Sequence, residues 1–446
     1  MKFVIIGGDA AGMSAASRAK RRAPEMDVIV LEQTHDVSYS ACGMPYNLAD
    51  PTREMDDLIV RPARVFREKQ NIDLRTGHRV DSIRRKEKHV MGRTLDGTTF
   101  SVSYDKLLIA TGASPIRPEI EGIGLRGVMC LKLLDDGRRI KNYIQENHVT
   151  KVVIIGMGYI ALEMSEALRA RDIQVAMVKP RPTLLPWMHP DLSEVVRQEL
   201  LSNQVEIYPG HAIRAIESNE GTLRVVSEDI VLEGQMVLVA VGIKPNSELA
   251  EEAGLELGPS KAIAVDRRLQ TSDPDIYSAG DCADAFHVVT GQRTWIPLAL
   301  RANRAGWAVA DNVMGKDVEL EGIAGTAVFK VFDLQVARTG LNFKQAEDAG
   351  FDPAQIVIKS RSRAHAHPGS CTIMVNMVGD KKSGRLLGAQ MVGKEGVAHR
   401  INAAAVALHA GMTVEKFSQC DLAYAPPFSP VWDPLLTAAN QLIKQL

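Results

Sequence analysis

Two stretches of the chain repeat the same order of hydrophobic and polar positions. The first has an apolar strand at 3–6, a glycine turn, a helix of small residues and a second strand that ends at Glu32. The second begins as VVIIG, continues as the helix YIALEMSEALRA and ends with a strand at Lys179. Each stretch predicts a βαβ unit of about 30 residues, the unit that builds doubly wound nucleotide-binding sheets. The sequence therefore predicts two nucleotide-binding domains.

Other segments indicate how these domains are joined and how the chain continues after them. KLLIATGASP (106–115) and VLVAVGIKPN (237–246) each place a glycine and then a proline after an apolar strand, which suits strands leaving one domain for the next. Beyond Gly325, several strand-like segments precede an alanine-rich helix near 402–410. We expect an α/β protein with two doubly wound dinucleotide-binding domains and a C-terminal α+β domain.

Length and charge agree with that architecture and exclude some functions. At about 150 residues per domain, 446 residues correspond to about three domains. The 53 Lys and Arg residues balance 54 Asp and Glu residues, so no excess of positive charge points to a nucleic-acid partner. No apolar run reaches the ~18 residues that cross a bilayer, and the N-terminal sequence runs into a strand pattern instead of a signal peptide. We expect a cytoplasmic protein without a membrane partner.

Cysteine usage points to single thiols. The chain has widely spaced cysteines in odd number and no CxxC motif, so the sequence indicates neither a disulfide framework nor a metal site. The five are Cys42, Cys130, Cys282, Cys371 and Cys420. Any cysteine that matters chemically is expected to act alone.

The glycine turn of the first repeat has the features of a dinucleotide site. Gly7 and Gly12 occupy the first and last positions of GxGxxG, and Glu32 follows Gly12 by 20 residues. Backbone N–H groups at such a turn approach a pyrophosphate, and the acidic residue accepts hydrogen bonds from a ribose diol. Asp9 replaces the middle glycine, with Gly8 beside it.

The second repeat carries the variant GxGxxA, at Gly156, Gly158 and Ala161. Its second strand ends at Lys179 instead of an acidic residue, and Arg181 follows two residues later. A carboxylate at this place favours the free 2′-hydroxyl of NAD, whereas a cation suits the 2′-phosphate of NADP. We therefore expect NADPH to be the favoured donor, with NADH as the alternative.

The segment DIYSAGDCAD (275–284) completes a family pattern. Asp281 at its tight turn would bind the hydroxylated chain of FAD, which is longer than NAD and needs this second sequence. The whole chain now resembles the FAD-dependent pyridine nucleotide-disulfide oxidoreductases, because the FAD motif, an ATG segment at Thr111 and Gly112, the nicotinamide motif, the GD motif and a C-terminal dimerisation domain follow in that order. The resemblance implies a homodimer with an FAD domain at 1–112 and 245–324, an NAD(P) domain at 113–244 and a dimerisation domain at 325–446.

The resemblance also implies which residues contact the cofactors. Glu163, one helical turn beyond the nicotinamide motif, matches a glutamate that lies near the flavin and the nicotinamide in the family. The expected cofactor-binding residues are Gly7, Gly8, Ala11, Gly12, Glu32, Gln33, Val80, Thr111, Gly112, Gly280, Asp281, Ala299, Gly156, Gly158, Tyr159, Ile160, Glu163, Lys179, Arg181 and Gly242.

The segment SYSACGMPY (38–46) holds the cysteine expected to react. Cys42 has no second cysteine five positions before or after it, where Val37 and Asn47 stand, so a local redox disulfide is excluded. At a helix entry and facing a flavin, its thiolate would be stabilised, with a pKa below the ordinary value of about 8.5. The segment resembles the S-x-x-x-C segment of coenzyme A disulfide reductases and of related NADH oxidases, peroxidases and persulfide reductases.

Other positions distinguish among these relatives. The oxidases and peroxidases typically carry a histidine where this chain has Ala10, so the resemblance favours a sulfur substrate. The segment at 422–434 matches one whose tyrosine reaches the active cysteine from the partner subunit, and Tyr424 stands at the matching place. The segment RAHAHPG has His365 and His367 where those reductases tend to have tyrosines. Whether the second acid is a phenol or an imidazole therefore stays open. The expected catalytic residues are Cys42, Tyr424 and His367.

The resemblance implies the substrate class as well. Arg18 and Arg22 on the first helix would meet the phosphates of coenzyme A, and Ser40 is expected at the substrate site. We expect an FAD enzyme that takes electrons from NAD(P)H and reduces a coenzyme A disulfide, a coenzyme A persulfide or polysulfide through Cys42. Two alternatives stay open: an NADH oxidase or peroxidase that reduces O2 or peroxide, and a redox-sensing flavoprotein with little turnover.

Overall fold

The structure, a computed structural model, describes residues 1–219 and 221–446. The N-terminal elements are β1 (Lys2–Ile6), α1 (Ala10–Arg22), β2 (Asp27–Glu32), α2 (Met44–Ala49), α3 (Ala63–Gln70), β3 (Asp73–Thr76), β4 (His78–Arg84), β5 (His89–Thr94), β6 (Thr99–Ser103), β7 (Lys106–Ile109), β8 (Ala113–Pro115) and β9 (Val128–Met129).

The central elements are α4 (Leu134–Glu146), β10 (Lys151–Ile155), α5 (Tyr159–Arg169), β11 (Gln174–Lys179), α6 (Pro190–Ser202), β12 (Val205–Pro209), β13 (Ile213–Asn219), β14 (Thr222–Ser227), β15 (Val231–Gly234), β16 (Met236–Val239), β17 (Ile243–Pro245), α7 (Glu248–Glu252), β18 (Ile276–Ser278), β19 (Ala285–Phe286), β20 (Arg293–Thr294) and α8 (Ala299–Val313).

The C-terminal elements are β21 (Ala327–Val331), β22 (Leu334–Gly340), α9 (Phe343–Asp348), β23 (Pro353–Arg361), β24 (Thr372–Asp380), β25 (Leu386–Gly393), α10 (Val397–His409), α11 (Val414–Ser418) and α12 (Pro434–Leu442).

The first predicted repeat forms part of a parallel sheet. Its strand order is β18-β7-β1-β2-β3, and β1 pairs with β2 in a register that places Phe3 opposite Val28. The strands read as continuous apolar runs because both faces of the sheet are covered. Since β18 joins only after the second sheet is complete, this sheet is built from two separate parts of the chain.

The second repeat forms an equivalent parallel sheet, with strand order β12-β11-β10-β16-β9. The two sheets match in detail: Gly7 N donates to the Leu31 carbonyl at 2.9 Å, and Gly156 N donates to the Val178 carbonyl at 2.8 Å. Each glycine thus follows the first strand of its βαβ unit and turns the chain into α1 or α5. The prediction of two doubly wound nucleotide-binding units is confirmed.

Two short strands run between the parallel sheets. β8 and β17 pair antiparallel, with Ser114 opposite Lys244. β8 follows β7 of the first sheet, and β17 follows β16 of the second. They occupy the two segments in which the sequence combines an apolar strand, a glycine and a proline. The paired strands bring the ends of both parallel sheets to one place.

The C-terminal part is an antiparallel sheet in the order β21-β22-β25-β24-β23, covered by α10 and α12. Buried side chains of both helices, among them Ile401 and Leu435, pack on buried strand residues such as Val375 and Met391. The predicted α+β character is confirmed. In the described parts of the chain, no helix has both the length and the apolar character needed to span a membrane.

Candidate functional site

A cleft of about 2550 Å³ opens where the two glycine turns approach each other. Nineteen of the twenty expected cofactor-binding residues line it, together with Cys42: Gly7, Gly8, Ala11, Glu32, Gln33, Val80, Thr111, Gly112, Gly280, Asp281, Ala299, Gly156, Gly158, Tyr159, Ile160, Glu163, Lys179, Arg181 and Gly242. The remaining one, Gly12, packs beneath the first turn, where a Cβ would collide with the Gly7 carbonyl.

The first turn has the geometry that a pyrophosphate requires. Gly7 has φ +110°, and a Cβ at this position would collide with the carbonyl of Ala110. Glu32 is held against the turn, since its Oε2 accepts from Gly8 N at 2.7 Å and its Oε1 accepts from Thr34 N at 2.7 Å. The carboxylate expected to meet a ribose diol is therefore fixed at the end of β2.

Asp9, which replaces the middle glycine, points an acidic side chain into this cleft. It precedes α1 without capping the helix through its side chain. Burial raises the pKa of Asp9 to about 6, and the nearby charge of Lys132 acts in the opposite direction. Protonation at this position would remove a negative charge from the place where a pyrophosphate is expected.

The turn at 280–284 completes the first half of the cleft. Asp281 Oδ2 accepts from Lys132 Nζ at 3.1 Å, so the carboxylate is oriented by a residue 149 positions earlier in the chain. Arg301 donates to the carbonyls of Gly280 and Ala283, both at 3.1 Å, and also contacts the Asp284 carbonyl. Sequence reasoning missed Lys132 and Arg301, because neither lies in a motif.

The second glycine turn has the same backbone geometry as the first, and it leaves more space around its second glycine. Gly156 has φ +123°, and a Cβ there would collide with the Ala240 carbonyl. A Cβ on Gly158, by contrast, would meet no atom of residues 1–219 and 221–446 within 4 Å. The Tyr159 ring lines the cleft beside this turn. Its centroid is 4.7 Å from that of Phe329 and 5.6 Å from that of Trp187.

Lys179 and Arg181, the two expected phosphate cations, lie in different environments. Lys179 lines the cleft but is only 8% exposed, and its Nζ donates to the Leu184 carbonyl at 2.9 Å. Burial, and then the charge of Arg181, lower the pKa of Lys179. Arg181 is exposed. Of these two cations, Arg181 is therefore the one exposed to a ligand, while Lys179 fixes the loop that follows β11.

Cys42 lies in a 3₁₀ turn, Ala41–Gly43, directly before α2. The thiol is exposed to the cleft, and all five cysteines of the chain are free. The expected lowering of its pKa is wrong for this chain: partial burial, followed by the charge of Glu163, raises the pKa of the Cys42 thiol, and Lys132 opposes this. α2 has only six residues, and burial together with the charge of Glu163 decides the direction of the pKa shift.

Glu163 and Tyr46 form a polar pair beside Cys42. The Tyr46 hydroxyl donates to Glu163 Oε1 at 3.0 Å, joining α2 to α5. Burial is the main cause that raises the pKa of Glu163 and also that of Tyr46. Glu163 was expected here, whereas Tyr46 was missed, although it lies within the cysteine segment itself.

The expected C-terminal residues do not line the cleft of their own chain. The two segments that carry them lie together, since Ala364 N donates to the Pro426 carbonyl at 3.1 Å. Tyr424 is 48% exposed, and His367 lies on the surface with its Nδ1 3.1 Å from the Pro368 carbonyl. Neither residue reaches Cys42 within one chain.

The expected substrate-binding residues also lie outside the cleft. Arg18 Nη2 donates to Asp311 Oδ2 at 2.6 Å, and the guanidinium stacks over the Trp307 ring at 5.5 Å. This pairing argues against Arg18 as a free phosphate ligand, because the guanidinium already has an acidic partner. Arg22 and Ser40 are exposed and stay available.

The residues present fit FAD and a nicotinamide nucleotide. Each glycine turn excludes a Cβ on its inner side, each stands at the carboxyl end of its parallel sheet, and both open into the same cleft. Glu32 and Asp281 supply carboxylates to the first half, and Arg181 supplies a cation to the second. Cys42 lies in the wall of the same cleft.

Comparison with known proteins gives matches over almost the whole chain. The model of the pyridine nucleotide-disulphide oxidoreductase family matches residues 1–306, and the model of the dimerisation domain of the same family matches residues 326–435.

Individual relatives cover the chain from end to end. The "NAD(P)H sulfur oxidoreductase (CoA-dependent)" of Pyrococcus furiosus is 40% identical over 99% of both chains. An "NADH oxidase" of Methanocaldococcus jannaschii is 34% identical over 100% of this chain and 99% of its own. The solved structure of a "NAD-Dependent Persulfide Reductase from A. fulgidus" superposes with a TM-score of 0.96 at 37% identity and covers 100% of this chain and 83% of that one.

Proposed function

The chain belongs to the pyridine nucleotide-disulphide oxidoreductase family, whose members use FAD and NAD(P)H, and from this premise we propose that it reduces sulfur–sulfur bonds at Cys42. The substrate is a persulfide or disulfide of coenzyme A, or a polysulfide. The electrons come from NAD(P)H, with NADPH preferred, and the active form is a homodimer joined through its dimerisation domain.

One observation carries this proposal. Cys42 is a free thiol exposed in the cleft that both glycine turns share. An unpaired cysteine at this place has no neighbouring cysteine in its own segment with which to store two electrons, so it must form its sulfur–sulfur bond with the substrate. Cys130 also lines the cleft, but it is 6% exposed and burial raises its pKa, which suits an inert buried thiol.

The chemistry of Cys42 follows from thiol–disulfide exchange. The Cys42 thiolate attacks the outer sulfur of a coenzyme A persulfide, so that the sulfur–sulfur bond of the substrate breaks, a new one forms on Cys42 and coenzyme A leaves as a thiolate. Two electrons then break the bond on Cys42 and release hydrogen sulfide. With a disulfide, one coenzyme A leaves at each stage. FAD, when bound, provides the path for those two electrons from NAD(P)H.

Protons and charge are managed by side chains around the thiol. Lys132 is the cation that favours the Cys42 thiolate, while Glu163 disfavours it. A leaving thiolate needs an acid, and we assign this role to Tyr424 of the partner subunit, since Tyr424 does not reach the cleft of its own chain. For His365 and His367 two roles stay open. They are either solvent-exposed residues of the loop or part of the same site that the two subunits share.

The names of the relatives favour sulfur over oxygen as the acceptor. The relative at 40% identity and the structure at 37% identity are named for sulfur and persulfide, whereas the relative at 34% identity is named an oxidase. Ala10 provides no imidazole to assist reduction of an oxygen–oxygen bond. We therefore expect oxygen consumption to be slower than persulfide reduction at least tenfold, measured with an oxygen electrode against sulfide release.

The Cys42→Ser variant tests the proposal. Binding of FAD and bleaching of the flavin by NADPH need no thiolate, so both are expected to be unchanged, whereas sulfide release from coenzyme A persulfide is expected to fall at least a thousandfold. Cys371→Ser, which alters a half-buried cysteine outside the cleft, serves as the matched control and should keep full activity.

Stopped-flow absorbance measures reduction of the flavin by NADPH separately from its reoxidation by the sulfur substrate. Undiminished sulfide release by Cys42→Ser would contradict the mechanism. A purified protein that neither contains nor takes up FAD would contradict the proposal as a whole.

A further inference from the structure

A second cavity, of about 390 Å³, lies apart from the main cleft. α4 contributes Lys141 and Gln145 to its wall, the loop after α5 contributes Arg171, and Ile144 and Ile173 belong to its apolar lining. The residues described for this wall are all different from those that line the main cleft. Whatever binds here is therefore separate from the nucleotide turns and from Cys42.

Two cations of this wall lack an acidic partner. Within residues 1–219 and 221–446, no carboxylate oxygen lies within 4.0 Å of Lys141 or Arg171. Burial lowers the pKa of Arg171. Burial, followed by the charge of Arg171, lowers the pKa of Lys141, against the smaller opposing effects of Glu54 and Asp50. Two partly desolvated like charges repel each other, and an anion between them would offset that cost.

Lys141 and Arg171 differ in how many of their hydrogen-bond donors are still available. Lys141 Nζ contacts Asn47 Oδ1 at 3.1 Å, the Asp50 carbonyl at 2.9 Å and further carbonyls of the same segment, so its three N–H groups are occupied. Within the part of the chain that the structure describes, Arg171 makes one such contact, from Nη1 to the Leu48 carbonyl at 3.3 Å. Most of the five donors of this guanidinium are therefore available to a ligand.

We propose that this cavity binds an organic phosphate monoester, with the phosphate on Arg171 beside Lys141 and the organic part on the apolar lining. The planar fork of a guanidinium matches two oxygens of a phosphate, and Lys141 adds charge without needing a free donor. Gln145 and His148, both exposed at the rim, offer further polar contacts. A free phosphate fills only part of about 390 Å³, which leaves space for a small organic group.

The position of the site ties it to the reactive segment. Asn47, Leu48 and Asp50, which Lys141 and Arg171 contact, lie at the C-terminal end of α2, and Cys42 lies just before its N-terminal end. The cavity and the thiol are thus at opposite ends of one short helix. The proposed ligand would bind the same guanidinium that contacts the Leu48 carbonyl.

The test uses the FAD-loaded enzyme in a phosphate-free buffer with saturating NADP, so that the nucleotide turns are occupied. Calorimetric titration with phenyl phosphate is expected to show one saturable site, and inorganic phosphate is expected to bind at least threefold more weakly. Arg171→Gln should weaken phenyl phosphate binding at least tenfold, and Arg171→Lys should do so to a smaller extent. Arg197→Gln, on the surface of α6, is the control and should leave binding unchanged.

A second variant keeps the test independent of any structural effect at Arg171. Gln145→Glu changes an exposed residue of α4 and places a negative charge at the rim, so it should weaken binding at least threefold. Absence of saturable binding, or unchanged affinity in both Arg171→Gln and Gln145→Glu, would overturn the site. Equal affinity for inorganic and phenyl phosphate would overturn the organic monoester and leave a site for free phosphate.

Discussion

Lys179 and Arg181 stand two residues apart at the end of β11, and burial separates their roles. A lysine that is 8% exposed and donates to the Leu184 carbonyl holds the loop in shape. The guanidinium of Arg181 is exposed and has no hydrogen-bond or ion-pair partner among the described residues, so its donors are available to a ligand. Charge at this position in the sequence predicts a preference for NADPH, and from the difference in burial we propose that Arg181 is the cation that would bind the 2′-phosphate.

Arg181→Ala is expected to lower kcat/KM for NADPH between tenfold and a hundredfold while changing kcat/KM for NADH less than threefold. A charge-assisted hydrogen bond contributes about 1.5–3 kcal/mol. NADH lacks the 2′-phosphate and therefore has no such bond to lose. Initial-rate kinetics with both donors measure the ratio. Arg214→Ala, on the exposed hairpin strand β13, is the control, and an equal loss with both donors would contradict the assignment.

Burial is the main cause that raises the pKa of the Cys42 thiol, and two charged residues of opposite sign modify it further. Lys132 favours the thiolate and Glu163 disfavours it, so Lys132→Met should raise the pKa of the thiol and Glu163→Gln should lower it. The rate of Cys42 alkylation by iodoacetamide between pH 6 and pH 10 measures this pKa in each variant. Shifts in the same direction, or none in either variant, would contradict this account of the site.

At the residue scale, the sequence identified those groups whose role is encoded locally. Gly7, Gly156 and Glu32 belong to short motifs, and the structure places all three at the cleft. The sequence did not predict Lys132, because its partner Asp281 lies 149 positions later in the chain, or Arg301, because it belongs to no motif although Gly280 lies only 21 positions before it. Such tertiary contacts cannot be predicted from the spacing of residues in a motif.

At the scale of elements, the prediction of the βαβ units was correct. Within about 30 residues, the continuous apolar runs of two buried strands flank the helical period of about 3.6 residues, and this change of pattern is specific. The expectation about α2 failed for a physical reason. The sequence indicates a helix entry at Cys42, but it reports neither that the helix has six residues nor that Glu163 comes near it from α5. The pKa of a thiol depends on this tertiary environment more than on the local helix.

His287, directly after β19, makes the stability of this region depend on pH. Its Nδ1 accepts from Val289 N at 3.2 Å, and burial, then the charges of Arg338 and His409, lower its pKa to about 4. The unfolded chain takes up a proton near pH 6.5 and the folded one only near pH 4, so stability is lost as the pH falls through this window.

His287→Asn removes this titration and keeps an acceptor for Val289 N. Between pH 7.5 and pH 5, the wild-type free energy of unfolding should fall by about 2 kcal/mol more than that of the variant. Urea unfolding followed by tryptophan fluorescence at both pH values gives the difference. His89→Asn, at an exposed hairpin strand, is the control. Equal losses in wild type and His287→Asn would show that His287 is protonated in the folded protein.

At the scale of the whole molecule, the C-terminal segment leaves large apolar side chains uncovered. Phe428 is 77% exposed, Val431 65% and Trp432 61%, and Tyr424 lies in the same segment at 48%. Such a patch on a domain that matches a family dimerisation model is expected to be covered by the second subunit. The sequence alone placed Tyr424 at a shared site only through resemblance, since no pattern within one chain reports a contact between two.

Mixed dimers test whether Tyr424 completes the site of the other subunit. Cys42→Ser chains lack the nucleophile and Tyr424→Phe chains lack the acid, whose loss should cost at least tenfold in sulfide release. In a heterodimer of the two, one site combines the intact Cys42 of one chain with the intact Tyr424 of the other. After random exchange of an equal mixture, half of the dimers are mixed, so about a quarter of all sites should recover wild-type activity.

The control mixture replaces the Cys42→Ser chain by a chain carrying both substitutions, which can supply neither group. Its activity should stay at the average of the separate preparations, because no combination of subunits restores a complete site. Size-exclusion chromatography with light scattering must show dimers in both mixtures. If the test mixture shows no more activity than this control, Tyr424 acts within its own chain or not at all, and a fully active monomer would exclude the shared site.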